Sequence, residues 1–328
     1  MKKCVAVLLV FLLLFTFVGC VPVNNEKTVL NVNEVTHSIF YSPFYLAIEK
    51  GYFEEEGIEI ALTNGGGSNV SMTAVISGQA EIGLVGPETV VYVYNEGKQD
   101  YPLVFAKLTQ RDGSFLISKE KIDKFDFSIF EGKEILAGRK GGLPAMTLEY
   151  VLNKNGLYDG QNVKLNYDVA FNLMAGAYES GTGDYTTLFE PTASDFVKEG
   201  KGYIISSVGE HSGEVPYTCF VANKSFIDEN PEIIKSFIRA LKKAKEYMSK
   251  TPSLEVAKYL LPQFSGNTVE QIAASIDSYL AIDAWSEDFI LTKDSFERLL
   301  DIMENAGELT KRVPFEDVIF NDLAYSLK

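Results

Sequence analysis

Residues 77–89 read SGQAEIGLVGPET, and residues 180–192 read SGTGDYTTLFEPT. Both open on Ser-Gly, pass an acid (Glu81, Asp184), run through a short apolar stretch and end in a proline, Pro87 or Pro191. The second proline is displaced by one position. Outward from each stretch the same order of elements appears twice. In the first half, TVLNVNEV (28–35) has strand character. SPFYLAIEKGYF (42–53) has helix character, with Ser42 suited to the N-cap, Pro43 to the first helical position and Gly51 to the residue past the end. IEIALT (58–63) is a strand, SNVSMTAVISG (68–78) a helix stopped by Gly78, and EIGLVG (81–86) a strand before Pro87 opens another helix. In the second half, EILAG (134–138), VKLNYDV (163–169) and DYTTLF (184–189) are strands. They alternate with the helices LPAMTLEYVLNKNG (143–156) and LMAGAYESG (173–181), and Pro191 opens the next helix. Strands alternating with helices imply right-handed crossovers and a parallel sheet in each of two α/β lobes.

In such sheets the carboxyl ends of the strands and the N-termini of the helices share one edge, where ligands bind. Helix N-termini offer free N–H groups and partial positive charge. If the two edges face each other, one cleft collects donors from both lobes. Two segments carry the chain between the lobes: LVFAKLTQRDGSFLISK (103–119) leaves the first, and EVPYTCFVANKSF (214–226) returns. The expected division is a lobe of 27–112 with 217–328 and a lobe of 113–216, joined by a two-strand hinge that permits closure. Amphipathic helices follow. In 231–250, Ile234, Phe237, Ile238 and Leu241 form one stripe, and 269–282 and 294–307 continue in kind.

The 328 residues are 46% hydrophobic, enough for a sizeable core, and carry a formal net charge of -15. That balance argues against a nucleic-acid partner, which requires a basic face. The chain begins MKKCVAVLLVFLLLFTFVGC, two lysines before an apolar run and then Gly19-Cys20, so 1–19 is expected to be a signal peptide. A retained transmembrane anchor is the alternative. FVGC resembles a bacterial lipoprotein signal, with Cys20 the lipidated N-terminus, although Phe17 departs from the usual smaller aliphatic residue; 20–26 then forms a tether. Cys219 would remain without a disulfide partner, and no Cys/His cluster has metal spacing.

Several residues fall where this topology places ligands. THSIFYSP (36–43) joins the first strand to the first helix and offers His37, Phe40 and Tyr41, an imidazole and flat rings. NGGGSN (64–69) lacks the Lys-Ser/Thr ending of a phosphate loop and reads as a tight turn, with Ser68 capping the next helix and backbone open to close approach. Glu88 and Glu190 stand at helix starts, either as caps or as acceptors for an amine or amidine-like ligand. No nucleophile or metal ligand accompanies them, so catalysis and cofactors are not expected. Arg111, Arg139 and Lys140 are the cations nearest the hinge and the second-lobe strand end; they read as solvated surface charges or as a clamp for an anion.

The stretches FYLAIEKGYFEEEGIEIAL (44–62), SGQAEIGLVGPE (77–88), TQRDGSFLISK (109–119), FEPTASDFVKEGKG (189–202) and FVANKSFIDENPEIIKSFIRALKKA (220–244) resemble the substrate-binding proteins of bacterial ABC importers. The group is the nitrate/sulfonate/taurine and thiamine-pyrimidine-precursor type. The resemblance implies a type II two-lobed fold, a monomer, a small-molecule ligand, and an ABC permease with its ATPase as partners. It places ligand contacts at His37–Tyr41, Gly67–Ser68, Gly86–Glu88, Gly142, Asn172 and Glu190. A pyrimidine binder would use Tyr41 and Glu190; a sulfonate binder would use Ser68, Gly86 and Thr192. The pyrimidine is the favoured expectation. Eukaryotic relatives that synthesise a thiamine pyrimidine carry a cysteine-rich motif, whereas Cys219 stands alone in YTCFV (217–221).

Overall fold

The computed structural model describes residues 27–328; the leader, Cys20 and the tether before Lys27 lie outside them. The first sheet contains β1 (Thr28–Glu34), β2 (Ile58–Asn64), β3 (Ile82–Val85), β4 (Pro102–Thr109) and β10 (Thr218–Asn223). The second contains β5 (Ser114–Ser118), β6 (Glu134–Leu136), β7 (Lys164–Asn166), β8 (Tyr185–Phe189) and β9 (Tyr203–Ser207). The orders are β2-β1-β3-β10-β4 and β7-β6-β8-β5-β9, one topology written twice.

An all-parallel sheet was the expectation, and the structure corrects it. β10 runs antiparallel to β3 and β4, and β5 runs antiparallel to β8 and β9. The reason lies in the crossings. β4 ends at Thr109 and β5 begins at Ser114, so the chain enters the second sheet at the edge where its other strands finish. A strand that starts at that edge must run away from it. β10 does the same on the return.

Eight helices position the site: α1 (Ser42–Glu49), α2 (Ser68–Ile76), α3 (Glu88–Asn95), α4 (Leu143–Lys154), α5 (Thr192–Lys198), α6 (Pro231–Lys250), α7 (Val269–Ala281) and α8 (Lys293–Asn305). Two expected caps are displaced. A 3₁₀ turn at Ile39–Tyr41 precedes α1, and Ser38 caps it by accepting from the Phe40 N–H at 3.2 Å. Ser42 is already helical and donates its hydroxyl to the Ile39 carbonyl. Gly67, not Ser68, is the N-cap of α2.

The C-terminal helices span both lobes. On α7, Gln271 donates to Asp195 of α5 at 2.7 Å, and the Tyr279 hydroxyl accepts from the Glu190 N–H at 3.1 Å. On α8, Arg298 donates to the Ser212 carbonyl at 3.2 Å, and Asn305 accepts from Asn153 of α4 at 2.8 Å. One apolar cluster accordingly runs unbroken from Phe40 and Tyr279 through Phe115 and Leu188 to Phe196, so the lobes are closed on each other. A smaller cluster around Leu148, Val151 and Leu152 serves the far side of the second sheet.

The sequence stripe on α6 does cover the first sheet. Phe237 is fully buried, with ring centroids 4.8 Å from Phe53, 5.8 Å from Phe105 and 4.9 Å from Phe220. Truncating so large a side chain leaves a cavity that its neighbours fill only in part. Phe237→Ala is expected to destabilise the fold by about 3–5 kcal/mol, read as a lowered urea midpoint.

Candidate functional site between the lobes

Phe40 follows β1 in the first lobe and is only 1% exposed. Its ring lies 5.8 Å from Phe189 at the end of β8, 5.9 Å from Tyr217 on the returning crossing and 4.8 Å from Tyr279 of α7. The seam between the sheet edges is therefore aromatic. Gly113, on the outgoing crossing, fits only because it lacks a side chain: a Cβ there would come within 2.7 Å of the Phe40 ring and 2.9 Å of Phe189.

The two duplicated motifs reach this seam with different chemistry. In the first, the Glu88 carboxylate folds back over Gly86, where a Cβ would meet Oε2 at 2.1 Å, so any side chain at that position would displace the carboxylate. Glu88 is buried, and its Oε2 has no hydrogen-bond partner. Burial pushes its carboxyl up to about 7, with Arg139 across the seam acting in the opposite sense. Gly86 also donates its N–H to the Ser68 hydroxyl at 3.1 Å, which ties the Gly67–Ser68 turn to the first motif. In the second motif, Glu190 is equally buried but its carboxylate is engaged. Oε2 accepts from the Ser194 N–H at 3.0 Å and Oε1 from the Ser194 hydroxyl at 2.7 Å, so Glu190 braces the first turn of α5.

Tyr41 is buried beside Thr218, and loss of water raises its phenol well above the ordinary value. Gly142 is buried in the turn before α4, where the Tyr92 hydroxyl of α3 reaches across to the Gly141 carbonyl at 3.5 Å. Asn172 and Thr192 are exposed. Arg139 and Lys140 are exposed too, with the Lys140 ammonium 5.8 Å from the Tyr167 ring centroid. Arg111 points a guanidinium nitrogen toward Asp283 at 3.8 Å.

Among the described residues, His37 has partners only on the first-lobe side. Its ring sits 4.7 Å from Tyr45 and 4.8 Å from Phe264. Nδ1 lies 2.8 Å from Glu34 Oε1 and Nε2 lies 2.9 Å from the Gln263 carbonyl. Both partners are acceptors, so both nitrogens must carry protons, and the bond to Glu34 raises the imidazole above its usual range. His37 thus fastens the loop that carries Phe40 and Tyr41. It borders a cavity of about 420 Å³ lined by Glu34, Ile48, Ile60, Leu62, Asn64 and Gln263, all from that side.

Sequence reasoning passed over four seam residues: Asp112, Phe189, Tyr217 and Tyr279. Asp112 and Tyr217 lie inside the crossings already recognised, and an acid beside Gly113, between the two strand-like runs 103–109 and 114–118, was the available signal. Asp112 is fully buried, and burial pushes its carboxyl up to about 7 against the opposing influence of Ser114 and of the Tyr217 hydroxyl.

Glu88 titrates higher in the folded chain than in the unfolded one, so its protonated form favours folding. That contribution is complete below about pH 4.5 and is lost as pH rises through about 7. Glu88→Gln removes the buried charge. In ligand-free protein the variant is expected to match wild type at pH 4 and to exceed it by roughly 3 kcal/mol at pH 8, measured by urea unfolding across that range.

Comparison with known proteins fits this geometry. The pattern described as NMT1/THI5 like matches residues 39–254. A Bacillus subtilis protein provisionally named a binding protein, YtlA, is 38% identical over 314 residues, 95% of this chain and 93% of its own. The 4-amino-5-hydroxymethyl-2-methylpyrimidine phosphate synthase of Candida albicans is 25% identical over 238 residues, 67% of each chain. Among solved structures, the alkanesulfonate-binding protein SsuA of Xanthomonas axonopodis superposes with a TM-score of 0.72 at 16% identity, covering 90% of this chain and 99% of its own. That superposition establishes the two-lobed periplasmic-binding-protein fold. By the extent of the pattern and of the YtlA match, the chain belongs to the NMT1/THI5-like family.

Proposed function

We propose that the chain is the extracytoplasmic binding component of an ABC importer. It captures a small, flat ligand bearing N–H donors, of the aminopyrimidine class that includes thiamine precursors, and presents it to a permease and its ATPase. The lobes 27–112 with 217–328 and 113–216 close around the ligand, and a lipid on Cys20 holds the protein at the membrane. The observation that carries the ligand class is Glu88: a carboxylate sealed at the seam, with Oε2 unpartnered and no basic side chain within ion-pair distance among the described residues. A buried acceptor without a donor is costly, and a ligand N–H supplies the missing partner. A sulfonate or nitrate would instead place a second anion beside it above about pH 7, where the carboxyl is ionised. Phe40 and Tyr41 supply the aromatic faces. The acceptor role expected of Glu190 passes to Glu88, because Ser194 occupies the Glu190 oxygens.

The state of the free cysteine supports a binding role. Cys219 lies buried in β10, and burial raises its thiol far above the range in which a thiolate forms.

The test is thermal unfolding of the intact protein with 4-amino-5-hydroxymethyl-2-methylpyrimidine, taurine or nitrate. The aminopyrimidine at a hundred times its dissociation constant is expected to add about 2.7 kcal/mol, and the anions nothing. Glu88→Gln is expected to weaken the aminopyrimidine roughly 10–100-fold by titration calorimetry. Stabilisation by taurine or nitrate alone would refute this ligand class.

A further inference from the structure

We propose that Asp112 and Tyr217, one on each crossing between the lobes, form a second recognition point that takes a donor-bearing or cationic group of the ligand and couples its capture to closure. This rests on the reading of the seam as a ligand site and deepens it. Neither residue belongs to the duplicated motifs, and neither was marked by residue pattern.

The two residues are placed alike. Asp112 ends the outgoing passage from β4, and Tyr217 immediately precedes β10 on the way back. Asp112 is 0% exposed and Tyr217 6%. Asp112 uses Oδ1 twice, accepting from the Ser114 N–H at 2.7 Å and from the Ser114 hydroxyl at 2.5 Å. Its Oδ2 is buried with no partner, and so is the Tyr217 hydroxyl. The phenol lies beside the carboxylate, near enough for each to shift the other's titration, but outside full hydrogen-bond geometry. Tyr217 also meets the Phe40 ring, so this pair and the Glu88 carboxylate border one aromatic seam.

The nearest basic side chains do not answer the charge. Lys107, buried in β4, pairs with Glu214 at 2.6 Å, and Arg111 directs one guanidinium nitrogen to Asp283 at 3.8 Å while its buried Nε also lacks a partner. A purely local role, the Asp112 turn holding Ser114, accounts for Oδ1 and leaves Oδ2 and the Tyr217 hydroxyl unexplained. A group that donates to both explains them. Because the two residues sit on different crossings, that group spans the two strands about which the lobes move, so the closed arrangement is the one that completes its bonds.

The experiment uses the intact protein, 4-amino-5-hydroxymethyl-2-methylpyrimidine as probe, and three variants: Asp112→Asn, Tyr217→Phe and Glu88→Gln. Affinity is read by titration calorimetry and closure by the probe-induced change in radius of gyration. Asp112→Asn is expected to lose roughly 10–100-fold in affinity and Tyr217→Phe roughly 3–10-fold, each with the probe-induced compaction reduced and the ligand-free melting temperature unchanged or raised. A structural role alone would lower the ligand-free melting temperature and leave affinity and compaction as in wild type. If Glu88→Gln weakens binding while both crossing variants bind and close normally, the inference falls and the proposed ligand class stands. If wild type does not bind the aminopyrimidine, both fall.

Discussion

Gly113 has no side chain because two rings, one from each lobe, close over it. Phe40 and Phe189 approach so nearly that even a Cβ would collide with both. The passage between lobes therefore runs through the middle of their interface, and the chain's two crossings become part of the wall that the lobes share. Around that point the apolar cluster is continuous, and Tyr279 and Trp285 extend it into the C-terminal helices, with the Trp285 N–H donating to the Phe40 carbonyl at 2.8 Å. Closure is thus supported by burial of aromatic surface, an interaction without fine directional demands.

Directional demand enters through the acids. The seam is buried, and a carboxylate there is costly unless it finds hydrogen-bond donors. Glu190 finds them in Ser194 and becomes part of the frame. Glu88 and Asp112 each retain an oxygen that the protein does not satisfy. The duplicated halves have diverged in this respect: one motif's acid steadies its own helix while the other's stays available. Aromatic closure and the acids' demand for donors are coupled, because the first removes the solvent that would otherwise satisfy the second.

His37 shows how one loop can serve two purposes. The loop after the first strand does carry residues to the seam, since Phe40 and Tyr41 arrive there. Three residues earlier, the imidazole is held from the opposite direction by Glu34 and Gln263. A 3₁₀ turn at Ile39–Tyr41 separates the two orientations. No local pattern announces that turn, and Gln263 lies 226 positions away in sequence.

The amino-acid sequence by itself determined the strand–helix alternation, its repetition, the closing glycines of the helices, the crossings and the stripe on α6. All of these follow from periodicity and from the backbone preferences of glycine and proline, which act between near neighbours. Only the tertiary structure decided the direction of β5 and β10, the bridging of both lobes by α7 and α8, and the division of the acids into satisfied and unsatisfied. Those depend on where the crossings enter the opposing sheet and on which donors lie within about 3 Å, distances set between residues remote in the chain.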